Sequence, residues 1–333
     1  MRTVVISLRR SFIWMVSVVI FACLFLSGCS MKKVETTTAE SYKVTDAIGE
    51  VVTIPHKPMR IMGTSPAIDT MLLGVVEPSR LVLCYDSDRD PVMSYISEDV
   101  KDIPVTVPFR GISMEIITRM KPDLIVASTY VKPKELELWK SMGYPVIVIR
   151  GPVSVSQVKD AVTLIAAAVG ENDRGERVIG EMNRQLKEID DTISKLDRPK
   201  PSVFLVSQMT KYGGPGSMYH ELLTHAHIRN AIEEAGAVNG ELLAQELLVK
   251  ADPDFLIVST DRAGDSTGAG AFRDKFLSNP AIQKMRASQH IIALDDKYIY
   301  ASSQNCVFAI KALANAVYGH LFDLSDEKQI KGF

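Results

Sequence analysis

At 333 residues the chain is long enough for one or two domains with cores of their own. Its 46% hydrophobic and 23% charged residues are ordinary for a globular protein. A formal charge of −2 and a pI near 6.3 supply no basic face, which excludes nucleic acid as the expected partner.

Residues 1–28 differ from the rest. Arg2, Arg9 and Arg10 precede an apolar run from Phe12 to Leu26. That run is shorter than the roughly 20 residues of a membrane span and suits the h-region of a signal peptide. It ends in Leu26-Ser27-Gly28-Cys29, which resembles the bacterial lipobox; an uncleaved N-terminal anchor or a chance cysteine is the alternative. The resemblance implies removal of 1–28 and diacylglyceryl modification of Cys29. Two or more acyl chains suffice for stable anchoring, so the protein is expected outside the cytoplasm, lipid-anchored to a bacterial membrane. Residues 29–41, the lipidated cysteine and a polar, aperiodic stretch, read as a tether. Cleavage would leave 35 basic and 40 acidic residues, a charge of −5. Of the cysteines, Cys84 and Cys306 would remain, free or paired, too few for a disulfide framework.

From 42 to 152 apolar runs alternate with helical spacing. Strands are expected at 41–46, 51–54, 60–63, 81–84, 105–107, 124–127 and 146–149, with helices at 67–73, 113–120 and 133–141. That alternation predicts a lobe with a parallel-type sheet covered on both faces. Residues 153–198 carry no strand signal. A helix at 154–169 is closed by Gly170. A second, at 172–196, keeps Val178, Met182, Leu186, Ile189, Ile193 and Leu196 on one face. At ~1.5 Å per residue it would span roughly 38 Å before Pro199 and Pro201 stop it. A second α/β series fills 199–333, with strands at 202–206, 255–259 and 291–294. Its helices are expected at 218–235, 245–251, 271–277 and 303–318. The fold class is therefore α/β: two similar α/β lobes with parallel-type sheets joined by one long α-helix. A helical crossover resists bending, so little lobe closure is expected.

Residues 114–129 and 245–260 align without a gap. Glu115 and Glu246, Pro122 and Pro253, Asp123 and Asp254, Ser128 and Ser259, and Thr129 and Thr260 coincide. Each copy reads as a short helix, a Pro-Asp turn and an apolar run. A half-unit that recurs once points to two lobes with something held between them.

Thr45-Asp46-Ala47-x-Gly49, Pro58-x-Arg60-Ile61, Ser65-Pro66-Ala67, Glu115…Lys121-Pro122-Asp123-Leu124-Ile125, the long helix and Glu246…Pro253-Asp254 follow one another in a familiar order. Over roughly 42–320 the chain resembles the substrate-binding lipoprotein of a bacterial ABC importer, of the group carrying ferric siderophores, haem or cobalamin. The resemblance implies no catalysis and no resident cofactor, the metal chelate being cargo. It also implies a transmembrane permease, with a separate ATPase subunit supplying the Gly-x-x-x-x-Gly-Lys-Ser/Thr loop that this chain lacks. Glu115 and Glu246 correspond to the glutamates that dock on the permease. The alternative is that each merely meets the positive end of its helix dipole. A ferric siderophore is favoured over cobalamin and haem.

In parallel α/β sheets ligands gather beyond the carboxyl ends of the strands. That rule nominates Ser65, Tyr85, Arg110, Tyr130 and Arg150 in the first lobe, with Pro66, Phe109 and Thr129 beside them. In the second it nominates Tyr212, Met218, Arg262, Tyr298 and Tyr300, with residues 208–211, Asp261 and Lys297 nearby. Tyrosine faces suit a large planar or chelated ligand, and arginines grip carboxylates. Tyr or His could also ligate haem iron.

Other signals are weaker. His220-Glu221-Leu222-Leu223-Thr224-His225 spaces its imidazoles five apart, turning them away from each other on a helix. A secreted zinc-dependent hydrolase using His220, Glu221 and the Asp86 loop is the competing class, and no metal site is assigned. Asp86-Ser87-Asp88-Arg89-Asp90 starts like a calcium loop. Pro91 stands where glycine belongs, so the stretch is expected to be a solvated loop. Gly214-Pro215-Gly216-Ser217 reads as a tight strand-to-helix turn.

Overall fold

The computed structural model describes residues 41–109, 112–207, 209, 211–241, 245–260, 269–325 and 327–333. An antiparallel hairpin of β1 (Tyr42–Thr45) and β2 (Val51–Ile54) comes first. The first lobe then runs β3 (Ile61–Gly63), α1 (Pro66–Val75), β4 (Cys84–Tyr85), β5 (Thr106–Val107), α2 (Met114–Met120), β6 (Leu124–Ser128), α3 (Pro133–Ser141) and β7 (Val146–Ile149). Helices α4 (Val155–Val169) and α5 (Asn172–Ile193) lead to the second lobe. It runs β8 (Ser202–Val206), α6 (Met218–His225), β9 (Arg229–Asn230), α7 (Ala231–Glu234), α8 (Gln245–Ala251) and β10 (Phe255–Ser259). It closes with α9 (Ala269–Leu277), α10 (Pro280–Gln283), β11 (Ile291–Leu294), α11 (Asp296–Ile299) and α12 (Cys306–Tyr318).

Each lobe has a parallel sheet. In the first the order is β3-β6-β7, and a Leu81–Ile61 bridge extends it toward the parallel β4–β5 pair. In the second it is β9-β8-β10-β11. Strands β6, β7 and β8 are buried at every residue, as in a sheet covered on both faces.

The repeat in the sequence is a repeat in space. Helices α2 and α8, and strands β6 and β10, occupy matching residues of the two copies. Lys121 (φ 46°) and Asp252 (φ 40°) end their helices in the left-handed region, unusual for residues other than glycine. The aspartates then tie down a neighbouring strand. Asp123 accepts the Met59 and Arg60 N–H groups at 2.8 and 2.9 Å, and its own N–H returns to Arg60 O. Asp254 accepts the Ser202 N–H at 2.8 Å and the Ser202 hydroxyl at 3.2 Å, and its N–H returns to Ser202 O. Pro-Asp therefore sets where β3 and β8 begin.

A single hydrophobic cluster runs through both lobes, from Ile68 and Leu72 in α1 through Val178 and Met182 in α5 to Leu205, Leu256 and Ile310. The long helix packs on α1, α4 and α12, and so touches both lobes. Gly175 permits the α4–α5 approach, since a Cβ there would stand 2.5 Å from that of Ala166. A smaller cluster around Tyr85, Ile125 and Trp139 fills the other face of the first sheet.

Two expected elements differ. The 218–235 helix is broken: α6 ends at His225, His227 is left-handed (φ 54°), and β9 pairs with β8. Asn230 then caps α7 by accepting the Ile232 N–H at 3.1 Å. The strand expected at 81–84 is displaced to Cys84–Tyr85, Leu81 making only a bridge. Cys84 and Cys306 are free and buried, which settles the choice left open by the sequence. Burial pushes their thiols up to about 11 and about 12.

Candidate functional site

Helices that start directly after a parallel strand begin at its carboxyl end, and serines cap several of them. Ser65 accepts the Ile68 N–H ahead of α1, Ser154 the Gln157 N–H ahead of α4, and Ser217 the His220 N–H ahead of α6. These ends of the two sheets meet. The Lys297 N–H, beyond β11, donates to Val92 O, beyond β4, at 3.1 Å. The Val155 N–H at the start of α4 donates to Glu221 Oε1 in the first turn of α6 at 3.1 Å.

Tyrosines line this junction. Rings of Tyr212 and Tyr300 lie 5.5 Å apart at 41°, and the Tyr300 hydroxyl is 2.6 Å from Ser207 Oγ. Tyr212 accepts the Tyr219 N–H and donates to Ile299 O. Burial pushes the Tyr300 phenol up to about 12. Burial also raises that of Tyr212, with further contributions from Tyr300 and, across the junction, Tyr130. Tyr130 is 74% exposed. Its ring covers Gly151, where a Cβ would stand 2.2 Å from the ring edge. Arg150, at the end of β7, is exposed and has no ion-pair partner among the described residues. After β4 and β5, an open depression of about 510 Å³ is lined by residues of the 86–93 loop with Pro108 and Phe109.

Matching positions of the repeat build matching loop supports. Thr129 donates its N–H to Ile149 O, and its hydroxyl accepts the Gly151 N–H at 3.2 Å. Thr260 donates its N–H to Leu294 O, and its hydroxyl donates to Asp295 Oδ1 at 2.8 Å. Ser259 bonds to Asp296.

Of the nominated ligand residues, the structure brings Tyr212 and Tyr300 together, with Tyr130 near enough across the junction for its charge to reach Tyr212, Ser65 half-buried at its helix cap and Arg150 exposed at the end of β7. Tyr85 and Met218 are corrections, since each is 1% exposed. Tyr85 belongs to β4 itself, so its ring enters the first-lobe core. Met218 opens α6 on the face that meets the common core. Tyr298 packs against that core, and its hydroxyl donates to Glu327. Arg110, Arg262, Asp261 and two of residues 208–211 (208 and 210) lie outside the described residues. Ser207, Asp295 and Asp296 were missed, although they directly follow β8 and β11 and the strand-end rule could have found them.

The Asp86 loop is also a correction. Asp88 is fully buried, accepts the Tyr85 N–H at 2.8 Å and faces the fully buried Asp69 of α1. Burial, then the charge of Asp88, drives the Asp69 carboxyl well above its usual range, and burial lifts Asp88 to about 6. Both shifts favour the protonated form, so burial and mutual repulsion oppose two full charges at this pair. The Asn230 amide nitrogen lies 3.2 Å from His220 Nδ1, and His225 pairs with Glu221 at 3.5 Å. Among the described residues no three His, Cys, Asp or Glu side chains form a group suited to a metal ion.

Glu115 and Glu246 are exposed in the first turns of α2 and α8, without an ion pair among the described residues. Residues 121–123 and 252–254 turn each helix into the strand after it, and each glutamate lies at the end of its helix away from that turn.

Two parallel α/β lobes sharing one core, with tyrosines and helix starts gathered where strand ends meet, define a two-lobed solute-binding architecture. A family model described as periplasmic binding protein matches residues 61–298, well over half the chain, and the chain belongs to that family. It is 24% identical to a probable siderophore-binding lipoprotein of Bacillus subtilis, over 54% of this chain and 55% of that protein. The chain thus spans about half the length of that relative. It is 23% identical to a cobalamin-binding protein of Halobacterium salinarum, over 84% of this chain and 75% of that one. In fold it is similar to the apo form of the periplasmic haem-binding protein RhuT from Roseiflexus. That likeness has a TM-score of 0.67 at 24% identity, covering 79% of this chain and 99% of that one.

Proposed function

We propose that this protein is the extracytoplasmic substrate-binding component of an ABC importer. It takes an iron chelate, a ferric siderophore before cobalamin or haem, between its lobes and presents it to a permease served by a separate ATPase. The observation that carries this reading is the Tyr212–Tyr300 pair of the second lobe at the junction with the first, where interlobe bonds join Lys297 to Val92 and Val155 to Glu221, with exposed Tyr130 and Arg150 after β6 and β7. Tyrosine rings cover a bulky chelate, and a guanidinium takes its carboxylates or other anionic oxygens. Helix starts at the same end add positive partial charge. Haem ranks lower on chemical grounds, because a tyrosine that ligates iron does so as phenolate. Burial disfavours that form at Tyr300 and Tyr212, and both hydroxyls already have partners. Glu115 and Glu246 serve as the paired permease contacts, and Cys29 carries the lipid anchor.

The test is a titration of residues 30–333 with ferric hydroxamate and ferric catecholate chelates, cyanocobalamin and haemin, followed by visible absorption and tyrosine fluorescence. Micromolar or tighter binding of a ferric chelate, weakened in Arg150→Ala, is expected. Absence of binding by every probe at micromolar concentration would remove the ligand reading.

A further inference from the structure

The segment after α12 leaves the second lobe and returns over the first. Gln329 donates its side-chain amide to Thr70 O at 2.7 Å, the Gly332 N–H donates to Gly74 O at 2.9 Å, and Lys331 pairs with Asp99. Just before this anchor, Glu327 Oε1 accepts the Tyr298 hydroxyl at 2.6 Å and holds the Lys297 ammonium at 2.9 Å. The pair is sheltered, Lys297 being 16% and Glu327 10% exposed, so it is less screened than a surface ion pair.

Lys297 and Tyr298 lie on α11, the turn that delivers Tyr300 to the cleft. The same two residues touch the first lobe. Beyond the Lys297–Val92 bond, the Lys297 ammonium lies 5.0 Å from the Tyr95 ring centre, and the Tyr95 and Tyr298 rings meet edge-on at 6.1 Å. Two buried atoms here have no partner, the Tyr95 hydroxyl and Glu327 Oε2. They are complementary, a donor and an acceptor, and close enough that the glutamate charge follows only burial in raising the Tyr95 phenol. Pairing them, directly or through one water, would relieve both of an unmet hydrogen bond.

We propose that Glu327 is a positioning residue of the ligand cleft: held by a strap on the first lobe, it fixes α11 of the second and so sets where Tyr300 stands. The ligand side of this inference rests on the cleft reading above. The brace itself does not.

The experiment uses residues 30–333 carrying spin labels at Lys134→Cys and Gln283→Cys, exposed sites on the two lobes. Interlobe distances are measured by pulsed electron resonance, and phenol ionisation is followed by ultraviolet titration. One narrow distance is expected in the parent, a broadened distribution in Glu327→Ala, and an intermediate one in Glu327→Gln. The glutamine still accepts from Tyr298 but gives Lys297 no charge. One or more phenols of Glu327→Ala should titrate lower than in the parent. Affinity for whichever ferric chelate binds should fall about tenfold, with far-ultraviolet circular dichroism unchanged. Unaltered distances and phenol titration in Glu327→Ala would overturn the proposal. Should that variant not fold, the same comparison is made with Glu327→Gln. A parent that binds no chelate refutes the ligand reading alone, since the distances still decide the brace.

Discussion

In the first lobe β3, β6 and β7 stand in the order that β8, β10 and β11 repeat in the second, and Asp123 and Asp254 tie the same strand starts. The finish differs. The first lobe buries two acids, Asp69 and Asp88, completely. The second lobe, among its described residues, buries no acid to that degree and places its carboxylates at the edge, where Asp295 and Asp296 hold loop hydroxyls. A shared frame fixes the strands, and each lobe is then free to furnish its own cleft wall.

The largest test of this contrast is pH. Asp88 rises from 3.8 to about 6 on folding, so the folded protein keeps a proton that the unfolded chain gives up. This contribution to stability is complete below about pH 4 and is lost as pH climbs through about 6. The loss is about 2–3 kcal/mol. Urea unfolding of Asp69→Asn across pH 4–8 should show a flatter profile than the parent. An unchanged slope would remove the coupling of Asp69 to Asp88 as its cause.

The Pro-Asp ties come next. Asp254 bonds to the buried start of β8 through half-sheltered bonds, whereas the bonds of Asp123 are exposed to solvent. Burial alone would raise the Asp254 carboxyl, yet the Ser202 donors and Arg286 outweigh it and hold the group below its usual range. Asp254→Ala should cost about 2 kcal/mol and Asp123→Ala about 1 kcal/mol by chemical denaturation. Equal losses would mean that the lobes use the motif identically.

Two glycines divide the lobes by function instead of strength. A Cβ at Gly214 would meet backbone of Val238 and Asn239 below 3.0 Å, and that backbone cannot swing away. Gly214→Ala should therefore lower stability by about 1–2 kcal/mol. At Gly151 the obstruction is the Tyr130 ring, a mobile side chain. Gly151→Ala should leave the melting temperature nearly unchanged and weaken chelate binding several-fold.

The smallest effect on the isolated protein is expected at Glu115 and Glu246. Reversal of either to Lys should alter stability by less than about 0.5 kcal/mol and leave ligand affinity intact. Transport by the reconstituted importer should fall. Symmetric loss of transport and affinity would return both residues to a purely structural role.

Much of the frame was legible because parallel strands and their helices write periodic patterns, and because a duplicated unit fixes its own boundaries. Helix α2 and strand β6 could be read from α8 and β10. The site was less so. Tyr85 fails because the strand-end rule depends on a boundary, where one residue decides whether a side chain enters the core or the cleft, and Met218 because the first turn of α6 faces the common core. The break after His225 had a signal in Asn230, a good cap, but the apolar pattern through Ile228 and Ile232 masked it. Asp88 was misread because sequence offers no sign that a second acid, 19 positions earlier, lies against it. Glu327 has no local pattern at all; its partners, Lys297 and Tyr298, come from α11, about 30 positions earlier.

The cluster that joins α1 to β8 and α12 has a consequence for how the molecule comes apart. Two lobes with separate interiors could melt in turn, each at its own temperature. These share one cluster, so opening one would expose apolar surface of the other, and the two lobes are expected to unfold as a single cooperative unit. A lesion buried in one half is then felt as lost occupancy of the whole, even where the opposite wall of the cleft is untouched.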